Sequence, residues 1–184
     1  MKKHVLAWLL FAAAVPFAAP AAAQGTGGFQ FGLTGGVSVP TGDTSNAFDN
    51  GYHGGLVLNY ELPALPLGIR LDGDYRHFDA KTGISSVTGS SEIFDGNANL
   101  VVGIRIVLVK LYALGGVGVY NVKFSGSSAG ISASGSQTDF GWNAGAGVAF
   151  VAGKLSIFIE GRYHEVSLEG GKFKFIPVSA GILF

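Results

Sequence analysis

The sequence predicts an all-β chain: eight antiparallel strands closed into an up-and-down transmembrane β-barrel, preceded by a cleaved signal peptide. Three observations carry this. Apolar and polar residues alternate with period two in successive segments along the chain. The connections between these segments alternate between short turns and longer polar loops. Charged residues make up only 13% of the chain, where a soluble domain carries about a quarter.

The start, MKKHVLAWLLFAAAVPFAAPAAAQ, has the layout of a secretory signal. Lys2 and Lys3 form a basic head, Val5 to Val15 an apolar core, and Ala21-Ala22-Ala23 a small-residue cleavage pattern between Ala23 and Gln24. Pro16, Pro20 and the Ala-x-Ala ending argue against a membrane anchor. Residues 1–23 are thus read as signal peptide and 24–184 as one barrel domain.

Each strand follows from its rows. In FQFGLTGGVSV, Phe29, Phe31, Leu33, Val37 and Val39 oppose Gln30, Thr34 and Ser38. In YHGGLVLNYEL, Tyr52, Leu56, Leu58 and Tyr60 oppose His53, Asn59 and Glu61. GIRLDGDYRHF (68–78) sets Arg70, Asp72, Asp74 and Arg76 against Ile69, Leu71 and Tyr75. EIFDGNANLVVGIRI places Phe94, Ala98, Leu100, Val102 and Ile104 against Asp95, Asn97, Asn99 and Arg105.

The fifth segment, LYALGGVGVYNVKF, is ambiguous, and Tyr112, Leu114, Tyr120 and Val122 are read as its lipid-facing row. DFGWNAGAGVAF sets Phe140, Trp142, Ala144, Ala146, Val148 and Phe150 against Asp139 and Asn143. KLSIFIEGRYHEV opposes Leu155, Ile157, Ile159 and Tyr163 to Ser156, Glu160, Arg162 and His164. The last, KFKFIPVSAGILF, carries Ile176, Val178, Ala180, Ile182 and Phe184 on its apolar row.

The facing follows from cost. An Arg or Lys turned to lipid at the bilayer midplane costs about 2–4 kcal/mol, so the apolar rows face hydrocarbon and the charges face inward. The interior set is then Glu61, Arg70, Asp72, Asp74 and Arg76 from the first half, with Asp95, Arg105, Asp139, Glu160 and Arg162 from the second. Short links (LPALP, Val107–Lys110, VAGK) alternate with the longer stretches 40–51, 80–91 and 125–137 and the shorter 168–172. Aromatic residues near the row ends, among them Phe29, Tyr52, Tyr75, Tyr112, Tyr120 and Trp142, are candidates for interfacial girdles.

On these rows and on the ending IPVSAGILF, the chain resembles the small eight-stranded outer-membrane barrels of Gram-negative bacteria: the OmpA transmembrane domain, OmpX and opacity-type surface proteins of the porin-like family. The glycine-rich LYALGGVGVYNVKF is also similar to that family's fifth strand. The resemblance implies a monomer in the cell outer membrane with both termini periplasmic and its longer loops outside. It implies contact with lipid and lipopolysaccharide, and recognition of Ile176, Val178, Ala180, Ile182 and Phe184 by the barrel-assembly machinery during biogenesis. No peptidoglycan-binding domain is expected after Phe184.

The function expected is structural or interactive, an adhesin- or antigen-like role through the loops towards a host or cell-surface ligand. The interior charges are read as a salt-bridged plug, because eight strands leave room for little more than side chains. The alternative is a narrow porin-like channel for ions or small solutes. A lipid A-modifying enzyme is a lesser reading. His164 and Ser167 are three apart, which in an extended strand puts them on opposite faces, so no catalytic residue is assigned. A soluble lipid-binding barrel of the lipocalin kind would need the opposite facing. His53, His77 and His164 are scattered and assigned no metal, and no cofactor is expected. With 12 basic and 12 acidic residues the chain has no basic field for nucleic acid, and without cysteine it folds with no disulfide.

Overall fold

The computed structural model describes residues 28–63, 65–81, 87–128 and 131–184. The signal peptide and its Ala23–Gln24 junction lie outside them. Eight strands form one closed barrel in sequence order. They are β1 (Phe29–Pro40), β2 (Gly51–Glu61), β3 (Leu67–Asp79), β4 (Val87–Ile106), β5 (Val109–Ser128), β6 (Ile131–Ala152), β7 (Leu155–Leu168) and β8 (Gly171–Leu183). Each is antiparallel to its neighbours, and β8 closes onto β1 from Gly32↔Leu183 to Pro40↔Phe175. Phe184 exchanges both backbone hydrogen bonds with Phe31, at 2.9 and 2.8 Å.

The first described residues and Phe184 share one end, here the turn end, with the β2–β3 link, Val107-Leu108 and Gly153-Lys154. Gly153 has φ +65°, which glycine adopts without cost; Val107 holds φ +56°, an uncommon state for a β-branched residue. The opposite, loop end carries the one-turn helix α1 (Thr44–Ala47). Phe48, just past α1, bridges to Ala80 beyond β3.

The facing holds along the rows of seven strands. Phe31, Leu56, Leu71, Leu100, Phe140, Ile157 and Val178 are exposed on the outside. Arg70, Asp72, Asp74, Arg76, Glu160 and Arg162 are buried within. The fifth strand is the correction. Tyr112, Leu114, Tyr120 and Val122 point inward and are buried, while Leu111, Val117 and Val119 face out. Register explains why. Gly116 and Gly118 lie opposite Asn99 and Asn97, and a Cβ on them would fall 2.4 and 2.2 Å from those side-chain oxygens. The small residues of β5 must therefore share the inner face with the asparagines of β4. Lys123 goes outward with this flip and packs over the Phe94 ring at 5.2 Å. Tyr112 and Tyr120 accordingly drop out of the girdles.

One of the expected loops, 125–137, is largely strand among its described residues, and the last part of 80–91 is strand as well. β4 begins at Val87, and β5 and β6 pair without a break in register up to Ser128↔Ile131. The Ser/Gly-rich 125–137 stretch thus continues a hairpin, since its backbone ladder needs no apolar row once it has left the bilayer.

Outward aromatics do gather at both ends. Tyr75–Phe94 (4.9 Å) and Trp142–Tyr163 (5.3 Å) lie towards the loop end, and Phe29–Tyr60 (4.6 Å) towards the turn end. Between them the surface is aliphatic. Ile159→Arg, in that band, is expected to destabilise the barrel by about 2–4 kcal/mol in lipid, read as a fall in the urea midpoint of protein folded into vesicles.

Candidate functional site: the barrel interior

Alternation delivers one side chain in two to the lumen, and β3 lines up Arg70, Asp72, Asp74, Arg76 and Phe78 from the turn end towards the loop end. β3 and β7 stand four strands apart in a ring of eight, so they face each other across the lumen. Arg70 bridges Asp72 at 2.7 Å and reaches across to Glu160 at 2.9 Å. Arg162 returns to Asp72 through both terminal nitrogens, at 3.0 and 3.1 Å, and also pairs with Glu160. Two cations and two anions form a closed, neutral ring that staples opposite walls together.

A second cluster sits one layer nearer the loop end. Arg76 donates to Asp95 at 2.7 Å and to Asp74 at 3.1 Å. Asn99 Nδ2 donates to Asp72 at 2.7 Å, tying β4 to the ring. The Tyr120 hydroxyl donates to Asn97 Oδ1 at 2.6 Å and lies 2.9 Å from His164 Nδ1. Asn143 Nδ2 adds β6 to the same Asn97 oxygen at 3.2 Å. Farther round, His53 sits between Ser38 (3.0 Å) and Ser179 (2.8 Å), linking β2 to β1 and β8.

This polar layer is held between two apolar ones. On the turn side, Val57, Val101, Leu114 and Phe158 belong to one buried cluster. On the loop side, Phe78, Ile93, Val122, Val166, Phe173 and Phe175 form another, with Phe48 packed on it. The guanidiniums meet both: Arg70 lies 4.9 Å from the Phe158 ring and Arg76 5.1 Å from that of Phe175. A cavity of about 30 Å³ near the turn end, lined by Glu61, Arg70, Lys110, Tyr112 and Phe158 among others, has room for a water molecule or two.

Of the ten charged residues expected inside, seven join the two clusters. Glu61 stands apart, paired with Lys110 nearer the turn end. Arg105 donates to the carbonyls of Val107 and Val151. Asp139 lies on the inward row beside Tyr120, with one carboxylate oxygen lacking a partner. Sequence reasoning missed Lys110, the hydrogen-bonding roles of Tyr120, Asn97 and Asn143, and both apolar layers. The glycine-rich strand next to Asn97 was the available signal for the roles of Tyr120, Asn97 and Asn143.

His164 is fully buried inside while Ser167 is exposed on the other face, so the two do not meet. His77 is outside, stacked on Tyr52 at 5.3 Å. Among the described residues no group of three or more His, Cys, Asp or Glu is placed to hold a metal ion.

Residues 9–184 match the family described as outer membrane protein beta-barrel domain. The chain belongs to that family. It is therefore an outer-membrane barrel, and solved structures share the fold. Ail, the attachment invasion locus protein of Yersinia pestis, in complex with the heparin analogue sucrose octasulfate, is 23% identical with a TM-score of 0.58, over 86% of this chain and 99% of that one. Neisserial surface protein A is 18% identical with a TM-score of 0.61, over 84% and 95%. A major outer membrane protein from Thermus thermophilus is 14% identical with a TM-score of 0.58, over 85% and 98%. At these identities the likeness is one of fold. No curated protein matches the sequence.

Removing one member of the four-charge ring leaves a buried charge unpaired. Arg162→Met is expected to destabilise the outer-membrane barrel by about 3–5 kcal/mol. Adding Glu160→Gln should restore part of that loss, because it removes the excess negative charge and leaves Arg70 paired with Asp72. Urea unfolding of the single and double variants in the same vesicles measures both.

Proposed function

We propose that this barrel is a plugged, monomeric, non-enzymatic surface protein whose loop end faces the exterior and makes contacts there, while its turn end faces the periplasm. The observation that carries this reading is the extension of β4, β5 and β6 beyond the rest of the wall at the loop end: β6 continues ten residues past its last pair with β7, Gly141↔Val166. A barrel serving only as a membrane filler needs no such outgrowth, whereas a protein that displays a surface does. The two interior charge clusters and their apolar covers support the plug, since a conducting path would have to break a neutral ring and two apolar layers.

The rest follows the family's biology. Residues 1–23 are removed at Ala23–Gln24 on export, leaving 24–184 as the barrel domain, and the row Ile176, Val178, Ala180, Ile182 and Phe184 is read during assembly. The outer leaflet supplies lipopolysaccharide around the wall. The likeness to Ail, a protein solved with a heparin analogue, makes sulfated glycans on a host surface the first ligand class to test.

Two measurements check this. Folded protein in planar bilayers is expected to give a flat current trace; stepwise conductance would instead favour the narrow channel. Excising residues 124–135 with an Asn-Gly turn in their place keeps the Lys123↔Ser136 pair. This variant should retain the heat-dependent gel shift of a folded barrel and lose attachment of expressing cells to heparin-coated surfaces.

A further inference from the structure

β5 and β6 remain paired in one unbroken register from Val109↔Phe150 to Ser128↔Ile131. On its other side β6 loses its partner early. The last pair with β7 is Gly141↔Val166, and β7 turns back into β8 at Leu168↔Gly171. Among the described residues nothing pairs with 131–140 on that side, and no loop backbone hydrogen bond reaches them. Ten residues at strand rise leave about 34 Å of open edge. The other flank of the outgrowth is different, for β4 runs only from Val87 to Gly89 beyond its last pair, Asp79↔Ser90.

Open strand edges invite another strand, and proteins usually blunt them with lysine, proline or a bulge. Here none of these is present. Residues 131–138 read ISASGSQT, with no charge and no proline; the one charge along the edge is Asp139, on the inward row beside Tyr120. The constant register leaves no bulge between β5 and β6. Ser134, Gly135, Ser136 and Thr138 are exposed and small, so at these positions a second backbone meets only short side chains.

We propose that this edge pairs with the same edge of a second copy displayed on a facing membrane, giving contact between like cells. The inference rests on the outward placement of the loop end proposed above. Apart from Asp139 on the inward row, the edge carries no charge that would repel its own copy. Identical edges meet through a two-fold axis as antiparallel strands, a self-complementary contact. Within one membrane all copies of β6 run in the same sense along the normal, so their edges cannot align antiparallel. In facing membranes they run in opposite senses, and they can. One such pairing is weak, and many across a contact zone add by avidity.

The test uses two dye-labelled populations of vesicles carrying the folded protein. Wild-type vesicles are expected to cluster with wild-type vesicles and not with bare ones. Ser134→Glu/Ser136→Glu and Ser134→Lys/Ser136→Lys each place like charges across the interface and should cluster about tenfold less. Mixing the Glu with the Lys population should restore clustering. A heat-dependent gel shift confirms that each variant is folded. Wild-type vesicles that stay dispersed, or variants that cluster as the wild type does, would overturn the proposal. Dispersed wild-type vesicles that still attach to heparin-coated surfaces would sink self-pairing alone and leave the surface-contact role standing.

Discussion

A chain crossing hydrocarbon must satisfy every backbone amide and carbonyl within itself, and a sheet does so only by closing. Here closure is made by β1 and β8, down to the reciprocal bonds between Phe31 and Phe184. Everything else follows from that ring. Once it is closed, each strand has one row in lipid and one row in a narrow lumen, and alternation leaves no third place for a side chain. The charges of Arg70, Asp72, Glu160 and Arg162 are excluded from lipid, and so they are forced together across the axis.

That forced meeting explains the layered interior. A lone buried cation would be ruinous, so cations and carboxylates alternate around one ring. Asn99 donates to a further lone pair of Asp72, while one terminal nitrogen of Arg70 is left without a partner. Net stability from such rings is small, because desolvation offsets most of the attraction. Their effect is on register: a slip of β3 against β7 would separate all four partners at once. Phenylalanine and valine layers lie on either side of the ring, and aromatic faces meet the guanidiniums of Arg70 and Arg76.

Most of the architecture was legible because one row of each strand must be apolar and the other is mostly not. β3 is the clearest case, with four charges against Ile69, Leu71 and Tyr75. β5 was misread for the converse reason. Both its rows are apolar, and only its neighbours decide between them: Asn97 and Asn99 need the glycines, and the Tyr120 hydroxyl needs Asn97 and His164. The two apolar layers inside were invisible because Phe78, Phe173 and Phe175 sit near strand ends, where a phenylalanine could equally be a girdle residue. The outgrowth of β4–β6 was hidden by composition. Ser and Gly read as loop, yet outside the bilayer a ladder of backbone bonds needs no hydrophobic pattern.

The most direct measurement is a spin-label scan of β4 from Gly96 to Val101 in protein reconstituted in lipid bilayers, one cysteine at a time in a chain that has none of its own. The account requires high oxygen accessibility at 96, 98 and 100 and low accessibility to both oxygen and a water-soluble nickel complex at 97, 99 and 101. Uniform accessibility along the strand, or the reverse alternation, would contradict the inside-out arrangement on which the fold and the proposed role both stand.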